Sequence, residues 1–431
     1  MNLTGGAFYG QVTFSRGEHM GGTRDAAGER RYFGLDALRG GMMMLGIVLH
    51  AAEMYLAAPP PQFAAFPADR NNSLLFDLLF QFIHAFRMPT FFVLAGFFAA
   101  LLVEKRGLWG TYRNRAARVL APLAVALVAI FPVTAIFVLD FALAAKYGVH
   151  DWLPDPKLLE RMDREIAATG QPVGQVPAFH LWFLLYLLYF YLLLPACRWL
   201  SQLARRHEGR IGALLGSPAT VLVLGLYTAL TLWPYRGGQV LEGFIFFRPH
   251  LPSLLYYGSF FVIGTLCRDF PALFATAARH VRGYALLAAA LFPLALYASH
   301  LDYAAGEKDA GLHLAAVLAN GLCTWALVYC FIGCAQRFFD REAPWVLYAS
   351  QSSYWVFLVH LPLVFFAGWW LAPYDWPALL KFSLVVAFTS TLCFASYHYL
   401  VQRTWVSVFL NGRRFNLAWP WRKVRAVQAA A

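Results

Sequence analysis

GLDALRGGMMMLGIVLHAAEMY, residues 34–55, is long and apolar enough to cross a bilayer, yet it carries Asp36, Arg39, His50 and Glu53. A hydrocarbon core of about 30 Å needs roughly 20 apolar residues per helix. An ionisable group at that depth is costly unless it faces the interior of a helix bundle or a wet cavity. At 100° per residue, Arg39 and His50 differ by about 20° in azimuth and stand about 16 Å apart along the axis. Asp36 and Glu53 fall within roughly 60° of that line. The four polar groups therefore share one helix face, with Arg39 near one end and His50 towards the other.

The next apolar segment repeats the pattern. FDLLFQFIHAFRMPTFFVLAGFF, residues 76–98, places Asp77, Gln81, His84 and Arg87 at spacings of 4, 3 and 3, again one face. Pro89 frees a backbone carbonyl one turn earlier, and Gly96 lets a neighbouring helix approach closely. Two adjacent helices with facing polar stripes predict one polar cavity between them.

Around these segments the chain reads as an all-α integral membrane protein. Its 431 residues are 60% hydrophobic and only 13% charged, about half the charged share of a soluble domain. The ruler above predicts ten spans, at about 34–57, 74–103, 117–141, 179–199, 213–234, 250–267, 282–300, 312–334, 345–370 and 377–400, with Pro362 kinking the ninth. The basic residues set the direction. With a cytoplasmic N-terminus, 24 of the 35 Lys and Arg fall on the cytoplasmic side and 8 on the other. That bias predicts an even number of spans and two cytoplasmic termini. It also assigns the net charge of +12 to membrane orientation, with no nucleic-acid partner.

Residues 1–31 form an expected cytoplasmic tail with no cleavable signal. Residues 32–403 are the membrane domain, and 404–431 a basic cytoplasmic tail. The longest external loop, about 142–178, has room for a short helix from Lys157 to Ala168. All six cysteines fall within or beside apolar runs, so neither a disulfide framework nor a metal site is expected.

Each candidate has a plainer alternative. Arg39 can snorkel to the headgroups, and Asp36 can simply pair with it. His84, His360 and His398 read first as satisfied structural groups. His50 has no polar interface near it and reads as functional. Arg115 and Arg118, at i and i+3, can grip phosphates as neighbours or merely enforce topology. His180 and Trp182 open the fourth span, as acceptor contacts or as ordinary interfacial belt residues. Ser350, Ser352, Ser353, Tyr354 and His360 either line the cavity or bond helix to helix.

Five features carry a family resemblance: Arg39 and His50 separated by ten residues, HAFRMPTFFVLAGFF at 84–98, the pair Arg115 and Arg118, HLWFLLYL at 180–187, and SYWVFLVHLP at 353–362. Together, in order, they resemble the membrane-bound acyltransferase family 3, from Tyr32 to about Arg403, and within it the subgroup that succinylates periplasmic glucans. The chain has Ala95 where many members carry Ser before the glycine. The resemblance implies an acyl-CoA co-substrate (succinyl-CoA for the subgroup) bound from the cytoplasm, and an acceptor glycan hydroxyl on the periplasmic side. It also implies a bacterial inner-membrane location. It carries catalysis onto His50 and donor binding onto Arg39, Arg115 and Arg118.

In that reading His50 is the general base and Glu53 orients it or touches the acceptor. Arg87 or His84 stabilises the oxyanion, or Arg87 meets a succinyl carboxylate. His180, Trp182, Tyr354 and His360 are acceptor-side candidates. An acyl-histidine relay is an alternative to direct attack. Acetyl as the acyl group, and another envelope polysaccharide or lipid as acceptor, stay open, as does oligomeric state. The competing class is a proton-coupled transporter. Such carriers more often show inverted repeats with interrupted helices in both halves, whereas here the ionisable residues concentrate in two spans.

Overall fold

The computed structural model describes residues 23–24, 30–61, 68–151, 155–168, 178–241, 249–306 and 309–415. Most of the expected N-terminal tail, Arg248, Lys308 and the basic end with Arg422, Lys423 and Arg425 lie outside the described residues. Apart from a two-residue bridge, Thr23–Arg24 with Arg30–Arg31, the described chain is helical.

The helices are α1 Phe33–Glu53, α2 Leu74–Arg115, α3 Ala121–Ala129, α4 Phe131–Tyr147, α5 Pro156–Ala168, α6 Trp182–Leu192, α7 Leu194–Arg205 and α8 Glu208–Leu215. They continue with α9 Thr220–Leu232, α10 Leu251–Asp269, α11 Ala272–Arg279, α12 Val281–Ala305, α13 Ala310–Phe338, α14 Pro344–Leu371, α15 Ala378–Ser396 and α16 Trp405–Asn411. The short external helix expected from Lys157 is α5. Lys146, and after it Arg161, bonds the Glu165 carboxylate and holds that group down at about 2, which ties α5 to the end of α4.

Among the described residues, six helical runs are long and apolar enough to span a membrane, or nine if each of three bent pairs crosses as one. A proline sits at every bend: Pro195 in α6–α7 (55°), Pro218 in α8–α9 (89°) and Pro271 in α10–α11 (97°). Proline removes a helical donor and clashes with the preceding turn. The fourth and fifth expected spans are therefore broken helices, not single rods, whereas the sixth, about 250–267, falls on the unbroken α10 and the bend follows its end. The second expected span and the first half of the third merge into one run, Leu74–Ala129, and the rest of the third falls on α4. Within the merged run the backbone leaves helical values at Gly107 (φ 68°). Pro362 lies inside α14, which runs as one helix from Pro344 to Leu371.

Burial orders the bundle. The spanning window of α13 is 72% buried and that of α15 only 22%. α13 packs against α12, α9, α11, α2 and α1, and α1 packs against α14 and α2. The outer helices show Val128, Leu230, Leu286 and Leu294 to the surroundings. Such an apolar exterior requires lipid, because water would have to hydrate it. The expected close approach at Gly96 is present and reciprocal. A Cβ on Gly96 would come within 2.0 Å of the Phe261 carbonyl oxygen, and one on Gly264 within 2.0 Å of the Val93 oxygen. α2 and α10 thus meet backbone to backbone, as small residues permit in membranes.

Candidate active site

The shared face of α1 turns towards α14 and α2. At its lower end Arg39 pairs with Asp36 (3.0 Å), donates to Ser350 Oγ of α14 (3.0 Å) and lies over the Phe98 ring of α2 (5.1 Å). The Asp36 pairing expected from the sequence is present. Arg39 also joins three helices rather than only reaching for headgroups.

At the other end, His50 Nδ1 donates to Glu53 Oε2 (2.9 Å), since an ionised carboxylate only accepts. Both side chains are largely buried, 16% and 11% exposed. The bond fixes the tautomer and leaves Nε2 as the basic nitrogen. The His50 ring stands 5.4 Å from His360, which stands 5.2 Å from His180. Three histidines from distant parts of the chain thus form one contiguous row.

The chemistry of α14 holds that row. His360 is fully buried, and its Nδ1 donates to the carbonyls of Val356 (3.0 Å) and Phe357 (2.7 Å). Pro362 has no N–H for the carbonyl four residues before it, Leu358. That carbonyl accepts instead from His180 Nε2 (3.1 Å). A proline in one segment thereby positions a histidine in another. His360 Nε2 and His180 Nδ1 are buried and have no partner among the described residues.

Arg87 enters from α2. It is 7% exposed, and its Nε donates to the Met42 carbonyl of α1 (3.0 Å). Its Nη2 would lie 3.0 Å from a Cβ placed on Gly46, and His360 Nε2 would lie 3.1 Å from the same point. Gly46 is one turn before His50. No reading of the sequence singled it out, because a glycine on an apolar helix face signals only close packing. His84 Nε2 donates to the Val240 carbonyl (3.0 Å). That bond anchors α2 to the segment before α10. Asp77 does not continue the stripe into the site: its carboxylate accepts from the backbone N–H groups of Ala57 and Ala58 at the outer end.

The remaining candidates lie elsewhere. Trp182 packs with Phe92, Tyr186 and Tyr257. Tyr354 donates to the Arg118 carbonyl (2.9 Å), well below the histidine row. His398, bonded to Gln402, faces Tyr348 and Tyr399.

Arg115 and Arg118 do not form the expected grip on one face. Residues 116–120 form a π-turn, in which hydrogen bonds run i→i+5 and the helix turns less per residue. The two arginines consequently meet different neighbours. Arg115 lies over the Tyr191 ring (5.3 Å), while Arg118 donates to the Val408 and Phe409 carbonyls at the end of α16. Beside Arg118 is an open cavity of about 590 Å³, lined also by Arg106, Gly110, Arg113, Asn114 and Ala117.

The family model described as "Acyltransferase domain", that of acyltransferase family 3, matches residues 32–398. The chain belongs to acyltransferase family 3. Curated relatives agree. Glucans biosynthesis protein C of Escherichia coli O6:K15:H31 (strain 536 / UPEC) is 27% identical over 359 residues, covering 80% of this chain and 85% of the relative. The protein of the same name from E. coli strain K12 / DH10B is 26% identical over the same coverage. No solved structure matches. Membership makes this acyltransferase family 3 protein a membrane transferase and sets the transporter alternative aside.

Proposed function

We propose that the protein is a transmembrane O-acyltransferase, moving a succinyl group from cytoplasmic acyl-CoA to a hydroxyl of a periplasmic glucan. Ten crossings with both termini cytoplasmic, in a bacterial inner membrane, belong to the same proposal. The tenth crossing comes from dividing the Leu74–Ala129 run at Gly107. The single observation that carries the reading is the His50–Glu53 bond. An imidazole held at Nδ1 by a carboxylate, with Nε2 left free beside a buried guanidinium, is the arrangement of a general base.

The acceptor oxygen attacks the thioester carbonyl as Nε2 of His50 takes its proton. Arg87 stands where negative charge develops on the carbonyl oxygen, and His84 lines the adjacent wall. The tetrahedral adduct collapses and the C–S bond breaks. The leaving sulfur takes the proton back from the imidazolium, giving an ester and free CoA thiol. The stripe from Arg39 to His50, about 16 Å along α1, suits the pantetheine arm, with the coenzyme's phosphates at the arginine-lined cavity. The likeness to glucans biosynthesis protein C supports the glucan and, through the subgroup, the succinyl group.

Purified protein in nanodiscs with succinyl-CoA and a glucan acceptor should release free thiol, and His50→Ala should lower that rate by about 10³-fold or more. Mass spectrometry of periplasmic glucans from cells with and without the gene should show a succinyl increment. An acetyl increment would change the donor, and no increment would exclude the glucan. Near-normal turnover by folded His50→Ala protein would overturn the role of His50.

A further inference from the structure

α1 ends at Glu53, so the chain leaves the helix directly after the carboxylate that holds His50. The last carbonyls of a helix have no partner within it and must find one outside. Here the Met54 carbonyl accepts from the Asp69 N–H (2.8 Å) and the Tyr55 carbonyl from the Ser73 N–H (3.1 Å). Ser73 is also the N-cap of α2, its hydroxyl accepting from the Leu75 N–H. One short turn, Asp69 to Ser73, therefore joins the end of α1 to the start of α2. That turn rests on the connection between α14 and α15. Arg70 Nη2 donates to the Pro373 carbonyl (2.7 Å) and Asn71 Nδ2 to Asp375 Oδ1 (2.9 Å), both at the surface.

Asp69 differs from these two neighbours. It is 2% exposed, and Lys381 of α15, at 0%, donates to both its oxygens (3.0 and 2.8 Å). Taking two charges out of water offsets most of their attraction, and apolar side chains would fill the same space as well or better. Docking the turn does not require the pair either, since Arg70 and Asn71 do that from the surface. What the pair adds is position. It fixes the one residue whose N–H holds the carbonyl next to Glu53. From the other side Met54, fully buried, packs against Gly368 of α14, where a Cβ would come within 2.3 Å of its sulfur. We propose that Lys381 and Asp69 are positioning residues for acyl transfer, locking the last turn of α1 so that Glu53 keeps its bond to His50; this rests on the acyltransferase reading above. Neither residue touches the reacting atoms. The line runs from Lys381 Nζ to the Asp69 carboxylate, then from the Asp69 N–H to the Met54 carbonyl, and along the chain to Glu53 and His50. Without the lock the terminal turn frays, as helix ends do, and the imidazole loses its fixed direction. A misplacement of about 1 Å, even one caused far from the chemistry, can lower a rate by about 10²-fold.

The test neutralises the pair in the full-length protein in nanodiscs, with succinyl-CoA as donor and a glucose oligosaccharide as acceptor. Asp69→Asn combined with Lys381→Met removes both charges. It keeps an oxygen for the Asn71 N–H, which Asp69 Oδ1 accepts in the parent (2.9 Å). The double variant should melt with the parent, because replacing both members of a buried ion pair together is close to neutral. Its kcat should fall about 10- to 100-fold, while the KM for succinyl-CoA stays unchanged. A cycle with Glu53→Gln separates positioning from packing, since residues that act as a unit do not add. If the pair works through Glu53, the triple variant should be no more than about twofold slower than Glu53→Gln alone. Parent-like kcat in the double variant would overturn the positioning role. So would losses that multiply in the triple variant, or an unchanged kcat in Glu53→Gln. A double variant that fails to assemble in the membrane would make the pair an element of the fold and overturn the role as well. No thioester turnover by the unaltered protein, with any acceptor or with water, would overturn the acyltransferase reading itself and the proposal with it, a separate outcome.

Discussion

Asp302 anchors one buried polar cluster and His360 another, from much the same residue types. Around Asp302 the bonds close. Its carboxylate accepts from Arg236 (2.7 Å), the Gly237 N–H (2.7 Å) and His313 Nδ1 (2.8 Å), and His313 Nε2 donates to the Trp233 carbonyl (2.8 Å). Ser299 and Asn320 complete the ring on the Gly237 carbonyl. Around His360 the bonds stop short, at two imidazole nitrogens with no donor and a guanidinium with spare N–H groups. A cluster that satisfies itself builds the fold, and one left incomplete in the same interior is shaped for something that enters. The first also serves the second: the clasp fixes Gly237, and three residues later the Val240 carbonyl holds His84.

The contrast breaks most visibly on stability. Asp302→Ala leaves the buried His313 ring and a half-buried arginine without their acceptor, so it should cost about 3 kcal/mol and show as a large fall in melting temperature and in membrane yield. His360→Leu removes the unused Nε2 lone pair and an Nδ1 donor to two helix carbonyls of its own preceding turn, so it should cost only about 1 kcal/mol while losing acyl transfer. Thermal unfolding in detergent, beside thiol release, reads both. If His360→Leu unfolds as readily as Asp302→Ala, the two clusters are alike and the distinction fails.

A finer test stays inside the open cluster. Glu53→Gln keeps size but removes the charge that orients the His50 tautomer. It should lower kcat by about 10²-fold or more with the KM for acyl-CoA unchanged. An unchanged kcat would return Glu53 to a packing role.

The sequence made the axis of the site legible and hid its walls. Helical phase placed Arg39, His50 and Glu53 on one face, and the structure keeps them there. The broken spans also had a written cause, since Pro195, Pro218 and Pro271 stand at the bends. Gly46 and the Leu358–His180 bond were hidden because each depends on a partner hundreds of positions or a helix away. Lys381, a charge inside the tenth expected span, is fully buried and meets both carboxylate oxygens of Asp69 (3.0 and 2.8 Å), a residue from a loop that the spacing of spans does not bring near. The arginine pair misled for a local reason. Spacing of i, i+3 presumes an α-helix, and nothing in Ala116–Leu120 announces a π-turn.

That pair carries the comparison to the arginine-lined cavity, where the expected effects are smallest. Arg118 is bonded to the carbonyls of α16, while Arg115 lies over the Tyr191 ring with its Nε buried and without an acceptor among the described residues. Arg106 and Arg113 line the open cavity and no acceptor bonds them among the described residues. By the same logic the unengaged arginines should meet the donor's phosphates. Arg106→Ala and Arg113→Ala should each raise the KM for acyl-CoA by about 3- to 10-fold, an effect that shrinks as salt rises, because exposed charge contacts are weak and screened. Arg118→Ala should leave that KM alone and cost about 1 kcal/mol of stability through the lost bonds to the α16 carbonyls. The two kinds of variant separate in one titration of donor against initial rate. Should Arg118→Ala weaken the donor more than Arg113→Ala does, an engaged group binds better than a free one, and the rule drawn from the two clusters does not extend beyond them.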